Sequence, residues 1–238
     1  NEKFLALDTE FEWRNTYFPR LSLIQISTKK KIFLLDCLNL KKAKILEEVL
    51  NKCELLIFHA VRSDTTVLSS SLNIKVNRVF DIQIAENVLT KEGSKNYGSI
   101  VNKYFPIKLK KTETNSNWLK RPFTKKQIDY AADDVEYLIE IHDKQKKLLK
   151  DKYKNVLISS SREANLGNQE LHVSRLNKFS SSNKLEKDLF MWRENQAKIK
   201  NVPPSHIIDN KKMKFLLNTL IKNKKIDKVA DLLKSRDL

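Results

Sequence analysis

Three short apolar runs near the start of the chain are separated by polar stretches. They span residues 4–11, 21–27 and 32–36 and are rich in β-forming side chains, so they predict three strands arranged as an antiparallel meander. Residues 40–50 next show helical spacing, and residues 54–59 form a fourth apolar run. Because a crossover that contains a helix joins parallel strands, we expect the fourth strand to lie parallel to one of the first three.

Helical patterns dominate the chain after the fourth run. Apolar residues recur at helical spacing over residues 64–71, 82–89, 97–104 and 125–150. Thr124 is the predicted N-cap of the last of these helices. Together the elements predict an α/β domain in which helices flank a mixed sheet.

A second, smaller unit is predicted near the end of the chain. At 238 residues the chain exceeds the usual size of one domain. Small polar clusters at residues 159–161 and 180–183 interrupt the pattern, and a Lys-rich helical pattern resumes at Leu185. We therefore predict three segments, namely an α/β domain over 1–150, a helical connector or linker over 151–183, and a small all-α unit over 184–238.

Composition narrows the class of protein. The 46 Lys and Arg against 29 Asp and Glu give a formal net charge of +17, which fits either a sequence-independent grip on nucleic-acid phosphates or solubility in a Lys-rich composition. Cys37 and Cys53 lie in apolar contexts without a CxxC motif, so we expect reduced thiols, with neither a disulfide nor a zinc site. Since the sequence has no apolar run of membrane-spanning length and no signal-peptide pattern, we predict a soluble, cytoplasmic protein. The first strand begins almost at Asn1, so we expect that residues preceding it have been lost.

Three acidic residues stand where predicted elements begin or end. Asp8 and Glu10 are two residues apart in a strand, so their carboxylates share one face. Hard divalent cations commonly relieve such crowding, although a solvated strand end explains an isolated pair better. Asp64 begins the helix after the fourth strand, at the sheet edge that hosts sites in α/β proteins, but a helix-capping role explains it better when it is taken alone.

Tyr130 and Asp134 are four residues apart in the last helix of the α/β domain. This spacing places a phenol and a carboxylate on one helix face, with small alanines between them. Tyr137, Leu138 and Ile141 allow the same face to be ordinary core. The spacing alone therefore leaves both interpretations open.

The ordered set of motifs resembles the DEDD exonuclease superfamily in its tyrosine-bearing branch, and specifically the ribonuclease D family. The motifs are DTEF at 8–11, YFPRLSLIQIS at 17–27, FHAVRSD at 58–64, VFDIQIA at 79–85 and YAADDVEYL at 130–138. Before the last of them, the family's KxExxxxWLxRPL block is matched by Lys111, Trp118, Arg121 and Pro122. The resemblance runs without interruption over residues 3–150.

This resemblance implies an RNase H-like sheet that holds two divalent ions, Mg²⁺ or Mn²⁺. The implied metal ligands and catalytic acids are Asp8, Glu10, Asp64 and Asp134. Asp133 is a rival ligand, but the family spacing favours Asp134. Tyr130 is implied to position the attacking water, because a phenol of pKa about 10 is a poor base on its own. The implied activity is 3′-to-5′ hydrolysis of RNA with a free 3′ end, tRNA precursors in particular, without an obligate protein partner.

Substrate contacts are predicted at four further positions, namely Gln25, His59, Trp118 and Arg121. Gln25 is equally well read as an ordinary polar strand residue or as support for a metal ligand. His59 suits a structural hydrogen bond, Trp118 suits packing, and Arg121 suits either a loop anchor or a phosphate contact.

Residues 191–216 are similar to the opening of the helicase and RNase D C-terminal domain, the HRDC fold, through Trp192, Ala197 and either Pro203 or Pro204, although helix packing alone also explains this pattern. The segment lacks the Gly-containing hairpin that usually closes that fold, so we expect a shortened or diverged copy. The HRDC fold implies nucleic-acid contact, for which the candidates are Lys211, Lys212, Lys214, Lys222, Lys224 and Lys225, although a solvated basic face explains them equally. Two other functions stay open, a DNA-directed 3′-to-5′ exonuclease and a catalytically silent RNA-binding module.

Overall fold

The computed structural model contains a five-stranded mixed sheet. It describes residues 2–38, 40, 43–109, 112–176 and 183–222, with side chains described up to residue 218. The strands are β1 (Phe4–Glu12), β2 (Arg20–Ser27), β3 (Ile32–Asp36), β4 (Leu55–Phe58) and β5 (Val79–Asp81). Their order is β3-β2-β1-β4-β5, in which β2 is antiparallel to β1 and β3, and β4 is parallel to β1 and β5. The predicted meander and the predicted parallel fourth strand are confirmed. Lys111, Lys224 and Lys225 lie outside the described residues.

Helices occupy most of the remaining described chain. Those that follow the strands in the first part of the chain are α1 (Ala43–Lys52), α2 (Arg62–Leu72), α3 (Ile82–Thr90), α4 (Tyr97–Tyr104), α5 (Lys125–Glu136), α6 (Leu138–Leu149) and α7 (Tyr153–Gly167). Those of the C-terminal part are α8 (Leu171–Leu176), α9 (Lys184–Lys200), α10 (Pro204–Ile207) and α11 (Asn210–Lys222). Thr124 caps α5 as predicted, in a capping box with Gln127.

Each face of the sheet is covered by its own helices. Leu5 and Leu7 of β1 contribute to a core made with α1 and α2, whereas Ala6 contributes to a core made with α3, α4 and α6. Asp8 and Glu10 continue the alternation of Ala6 along β1, so they lie on the second face. The periodicity of one strand thus decides on which side of the sheet the candidate carboxylates lie.

The sequence pattern did not predict β5, a strand of three residues. VFD is too short to show the alternation that identifies a strand, and its polar residue, Asp81, is buried like the other two and so marks no solvent face. β5 pairs with β4 and extends the sheet by one parallel strand.

The single long helix predicted over 125–150 is wrong, because the chain forms two helices that meet at Tyr137. The hydroxyl of Tyr97 donates to the carbonyl oxygen of Asp133 over 3.1 Å and accepts the Tyr137 N–H over 3.3 Å. A side chain thereby stands where the helical bond from Tyr137 to Asp133 would form, which is a recognised cause of a helix break. The break at Tyr137 comes directly after the helix that carries Asp134.

The chain divides into two compact units. Among the described residues, the first comprises 2–12 and Pro19–Gln169, and the second comprises Trp13–Phe18 with the part of the chain between Glu170 and Lys222. Within the first unit, α7 packs against α2 and β5. Within the second, the Tyr17 hydroxyl donates to Glu194 Oε2 over 2.9 Å. The segment boundaries at 150 and 183 and the HRDC-like character of the tail stay predictions.

Gly167 allows α7 to approach α2 closely. A Cβ atom at this position would overlap Thr65 Oγ1 and the carbonyl oxygen of Arg62, both on α2. We expect Gly167→Ala to destabilise the protein by about 1–3 kcal/mol, the usual effect of overpacking. Urea unfolding measures this, and Gly93→Ala is the matched control because an added Cβ there meets nothing within 4 Å. Equal unfolding midpoints for the two variants would contradict the expectation.

Candidate active site

Three carboxylates meet near the end of β1. Asp8 and Glu10 come from β1 itself, and Asp134 comes from α5, which packs over β1 and β2. One carboxylate oxygen from each of the three lies within 4.8 Å of the other two. Carboxylate oxygens are the ligands that hard divalent cations prefer, so this group of three acids can hold such an ion.

Asp64 approaches the three acids from the start of α2. It is the third residue of that helix and only 3% exposed. The Thr9 hydroxyl donates to Asp64 Oδ1 over 2.7 Å, and the carboxylates of Asp64 and Asp8 lie close together. Asp8 is therefore the acid that contacts both Asp64 and the group formed with Glu10 and Asp134.

Burial and like charge raise the proton affinity of these carboxylates. Burial, followed by the charge of Asp64, raises the pKa of Asp8 well above its usual value. Burial, followed by the charges of Asp8 and Asp134, raises the pKa of Glu10 to about 10. Burial also raises the pKa of Asp64 to about 7, against the hydrogen bond from Thr9. A divalent cation offsets such repulsion, so the donor set fits a metal site.

Tyr130 lies beside the carboxylates on the face of α5 that also carries Asp134. Burial and then the nearby charge of Asp134 raise the pKa of its phenol above the usual value. The phenol is therefore protonated at neutral pH and able to donate a hydrogen bond. Its oxygen lies 3.3 Å from Thr114 Oγ1, which fixes the orientation of the side chain.

A cavity of about 230 Å³ opens over this group. Its walls combine acidic, aromatic and amide side chains. They belong to Asp8, His59, Asn96, Tyr97, Gly98, Leu109, Thr114, Tyr130, Asp133 and Asp134. The cavity brings Asp8 together with Tyr130 and Asp134, from which it is separated by more than a hundred residues of sequence.

Two of the predicted substrate contacts are buried in the structure. Gln25 is fully buried on β2 and pairs with Asp8 across the strands. Neither atom of its amide has a hydrogen-bond partner among the described residues. Trp118 is 4% exposed and packs with Leu23 and near the ring of Tyr130. Their roles toward substrate stay predictions.

The other two predicted contacts are held by neighbours. The guanidinium of Arg121 donates to both carboxylate oxygens of Asp36, over 2.6 and 2.7 Å, and to the carbonyl oxygen of Trp118 over 2.7 Å. These bonds anchor the loop before α5 to the edge of the sheet. His59 lines the cavity, and its Nε2 lies 3.0 Å from the carbonyl oxygen of Lys95. Direct contact of either residue with substrate stays a prediction.

Sequence reasoning missed the supports of the acidic group. Thr9 lies between Asp8 and Glu10, and strand alternation assigns it to the opposite face, which concealed its bond to Asp64. Tyr97 begins a predicted helix and Thr114 lies inside the KxExxxxWLxRPL block, but no charge or spacing marks either residue as part of a site, and only the fold brings them to the cavity. In the DTEF motif, the polar residue between the two acids was the one available signal.

Comparison with known proteins decides the family. The family model described as 3′-5′ exonuclease matches residues 1–150 of the 238 in the chain. The chain belongs to this 3′-5′ exonuclease family. Family membership agrees with the mixed sheet and with the acids near the end of β1, all of which lie inside the matched range.

Relatives of this chain confirm the resemblance to ribonuclease D. Proteins with that name from Desulfotalea psychrophila and Pseudomonas paraeruginosa are 31% and 32% identical, over 86% and 94% of this chain. The matches cover 58% and 62% of those proteins, so the chain spans less than two thirds of their length.

A solved structure of Escherichia coli RNase D, described as an exoribonuclease involved in structured RNA processing, shares the fold. It is 21% identical, with a TM-score of 0.79 over 99% of this chain and 70% of that one. The predicted α/β fold with an RNase H-like sheet is thereby confirmed. Among the helices that the structure describes, none is both long and apolar enough to span a bilayer.

Metal binding to this protein is expected to become more stabilising as pH rises. Glu10, with its pKa raised from 4.5 to about 10, binds its proton more tightly in the folded chain than in the unfolded chain. The contribution of Glu10 to the stability of the fold is fully present below pH 4.5 and is lost as the pH rises toward 10. The metal-free protein therefore becomes less stable over that range. A cation must displace these protons, so it binds more tightly at higher pH.

Thermal unfolding at about pH 6, 7 and 8.5 with and without Mg²⁺ measures this effect, with NaCl at equal ionic strength as the control. The gain in Tm from Mg²⁺ should grow with pH. A gain that is equal at the three pH values would contradict the expectation.

Proposed function

We propose that the protein is a metal-dependent exoribonuclease that removes nucleotides from the 3′ ends of RNA. The observation that carries the proposal is the meeting of Asp8, Glu10 and Asp134 within 4.8 Å, beside a cavity that is lined by Asp8, Asp134 and Tyr130. Family membership supports the reaction class. The names of the relatives support RNA as the substrate.

Two ions, Mg²⁺ or Mn²⁺, are assigned to the four acids. Asp8 contacts both Asp64 and the group of three, so we assign it to both ions, with Asp64 completing one site and Glu10 and Asp134 the other. When bound, such a pair of ions supplies Lewis-acid stabilisation of the attacking and leaving oxygens in an in-line displacement at phosphorus. The carboxylates supply hard oxygen ligands and balance the charge of the ions.

Tyr130 orients the attacking water through its phenolic proton. Its raised pKa makes it a hydrogen-bond donor at neutral pH and a poor proton acceptor. The Thr114 hydroxyl, 3.3 Å away, holds the phenol in place. Among the cavity walls, His59 and Asn96 offer polar groups to the 3′-terminal nucleotide, and Tyr97 and Leu109 offer apolar surface.

The finer substrate and the tail belong to the same proposal. We assign tRNA precursors as the substrate class, on the strength of the resemblance to ribonuclease D. The helical segment from Lys184 onward is assigned as an HRDC-like unit that guides RNA to the exonuclease domain. Lys211, Lys212 and Lys214 of α11 are its candidate phosphate contacts, and all three are exposed.

Stepwise digestion of a 5′-labelled RNA with a 3′ extension tests the proposal. With Mg²⁺ or Mn²⁺ the label should move down in one-nucleotide steps from the 3′ end, and EDTA should stop the reaction. A matched DNA in the same tube competes for the enzyme. Preferential digestion of the DNA would show that the protein is a DNA-directed exonuclease. Salt-dependent RNA binding without cleavage would show that it is a catalytically silent RNA-binding module.

A further inference from the structure

Asp81 brings one buried carboxylate to the starts of two helices. It ends β5 and is 2% exposed. Its Oδ1 accepts the N–H of Ala60 over 3.1 Å and the N–H of Gln83 over 2.8 Å, and its Oδ2 accepts the N–H of Val61 over 2.9 Å. The Gln83 bond caps α3, on which Asp81 itself is the N-cap. The other two bonds reach across from β5 to the turn that precedes α2.

That turn holds an uncommon backbone conformation. Ala60 has φ of 60°, a left-handed value that residues other than glycine seldom adopt. Val61, the N-cap of α2, has no side-chain cap bond of its own. Asp81, at the end of β5, supplies the missing cap, because its carboxylate accepts the N–H groups of Ala60 and Val61.

The direction in which α2 leaves this turn decides the position of Asp64, three residues after Val61. Asp64 lies on the first turn of α2, and its carboxylate must reach Asp8 and the Thr9 hydroxyl. Asp81 is itself anchored, because its own N–H donates to Ser160 Oγ of α7 over 3.0 Å. A fixed point on the neighbouring strand thereby orients the helix that carries an acid of the site.

We propose that Asp81 is a positioning residue that aims Asp64 at the metal site. This inference rests on the proposed function, because it assumes that Asp64 binds a cation. The role requires a carboxylate, since both oxygens accept N–H groups. Asparagine has the same shape but replaces one acceptor with an NH₂ group that faces an N–H, so one bond becomes a repulsion.

Mn²⁺ titration by calorimetry of the parent, Asp81→Asn and Glu86→Gln tests the inference without reference to activity. Glu86 is the matched control, because it is also a 2% exposed carboxylate, lies on α3, and bonds Lys103, Tyr104 and Gln145 away from the turn. We expect Asp81→Asn to weaken Mn²⁺ binding about tenfold or more, as loss of an outer support of a metal ligand commonly does. Glu86→Gln should lower Tm but keep the Mn²⁺ affinity of the parent.

The outcomes separate the inference from the proposed function. If the parent itself binds no Mn²⁺, the proposed function fails and the inference with it. If the parent binds and folded Asp81→Asn binds equally tightly, or if Glu86→Gln loses as much affinity, the inference alone is overturned. Should Asp81→Asn not fold, Asp81→Ser replaces it, because serine still caps α3 and is too short to reach Ala60 and Val61 together. The same loss of affinity is expected of that variant.

Discussion

Asp8→Asn is expected to lower the rate of RNA hydrolysis on the order of 10³-fold, the range seen when one group that stabilises developing charge is removed. Asp8 is the acid that contacts both Asp64 and the group formed with Glu10 and Asp134, so its loss affects both proposed ion sites. The same substitution should leave the metal-free protein at least as stable, because it removes charge from a group that burial and like charge already destabilise.

Single-turnover rates with Mn²⁺ and thermal unfolding in EDTA measure these two effects of Asp8→Asn. Asp129→Asn is the control, since Asp129 is an acid of α5 whose side chain is 58% exposed and paired with Lys125. It should keep both the parent's rate and its Tm. If the rate of Asp8→Asn were within about tenfold of the parent's rate, Asp8 would not belong to the catalytic group.

Tyr130→Phe is expected to lower kcat by about 10²-fold while Mn²⁺ affinity and KM stay near those of the parent. The substitution removes only the hydroxyl, which we assign to positioning water, and leaves the ring in its contact with Trp118. Because the pKa of Tyr130 is raised, the phenol stays protonated across neutral pH. The parent's pH profile should therefore show no ionisation of Tyr130 between about pH 6 and 9.

Steady-state kinetics with calorimetry on the same preparations test Tyr130→Phe. Tyr104→Phe is its matched control, since it also loses one hydroxyl hydrogen bond, to Glu86 Oε2 over 2.9 Å, at a position that does not line the cavity. It should keep the parent's kcat. A Tyr130→Phe enzyme with normal kcat would show that the phenol has no part in the reaction, and a loss of Mn²⁺ affinity would make it a support of the metal site instead.

The parts of the fold that repeat a simple period were predictable from the sequence. Alternation in β1 placed Asp8 and Glu10 on one face, and the helix between β3 and β4 predicted the parallel strand. The candidate site was predictable mainly because its motifs occur in the order of a known family. Taken alone, the Asp8 and Glu10 pair and Asp64 each had a better structural explanation, and the spacing of Tyr130 and Asp134 left both interpretations open.

What was missed depends on contacts between distant segments. The break at Tyr137 is made by the hydroxyl of Tyr97, forty residues earlier, so the local helical pattern of 125–150 gave no warning of it. The bonds from Asp81 to the turn before α2 likewise join positions about twenty residues apart. Such contacts have no period, and only the folded chain shows them.

Crystals grown with Mn²⁺ and examined by anomalous diffraction at the manganese edge test whether the four acids hold two ions. Two anomalous peaks should lie between the carboxylates of Asp8, Glu10, Asp64 and Asp134, with Asp8 touching both. Mn²⁺ bound elsewhere, with no peak at these four acids, would show that they do not form the metal site.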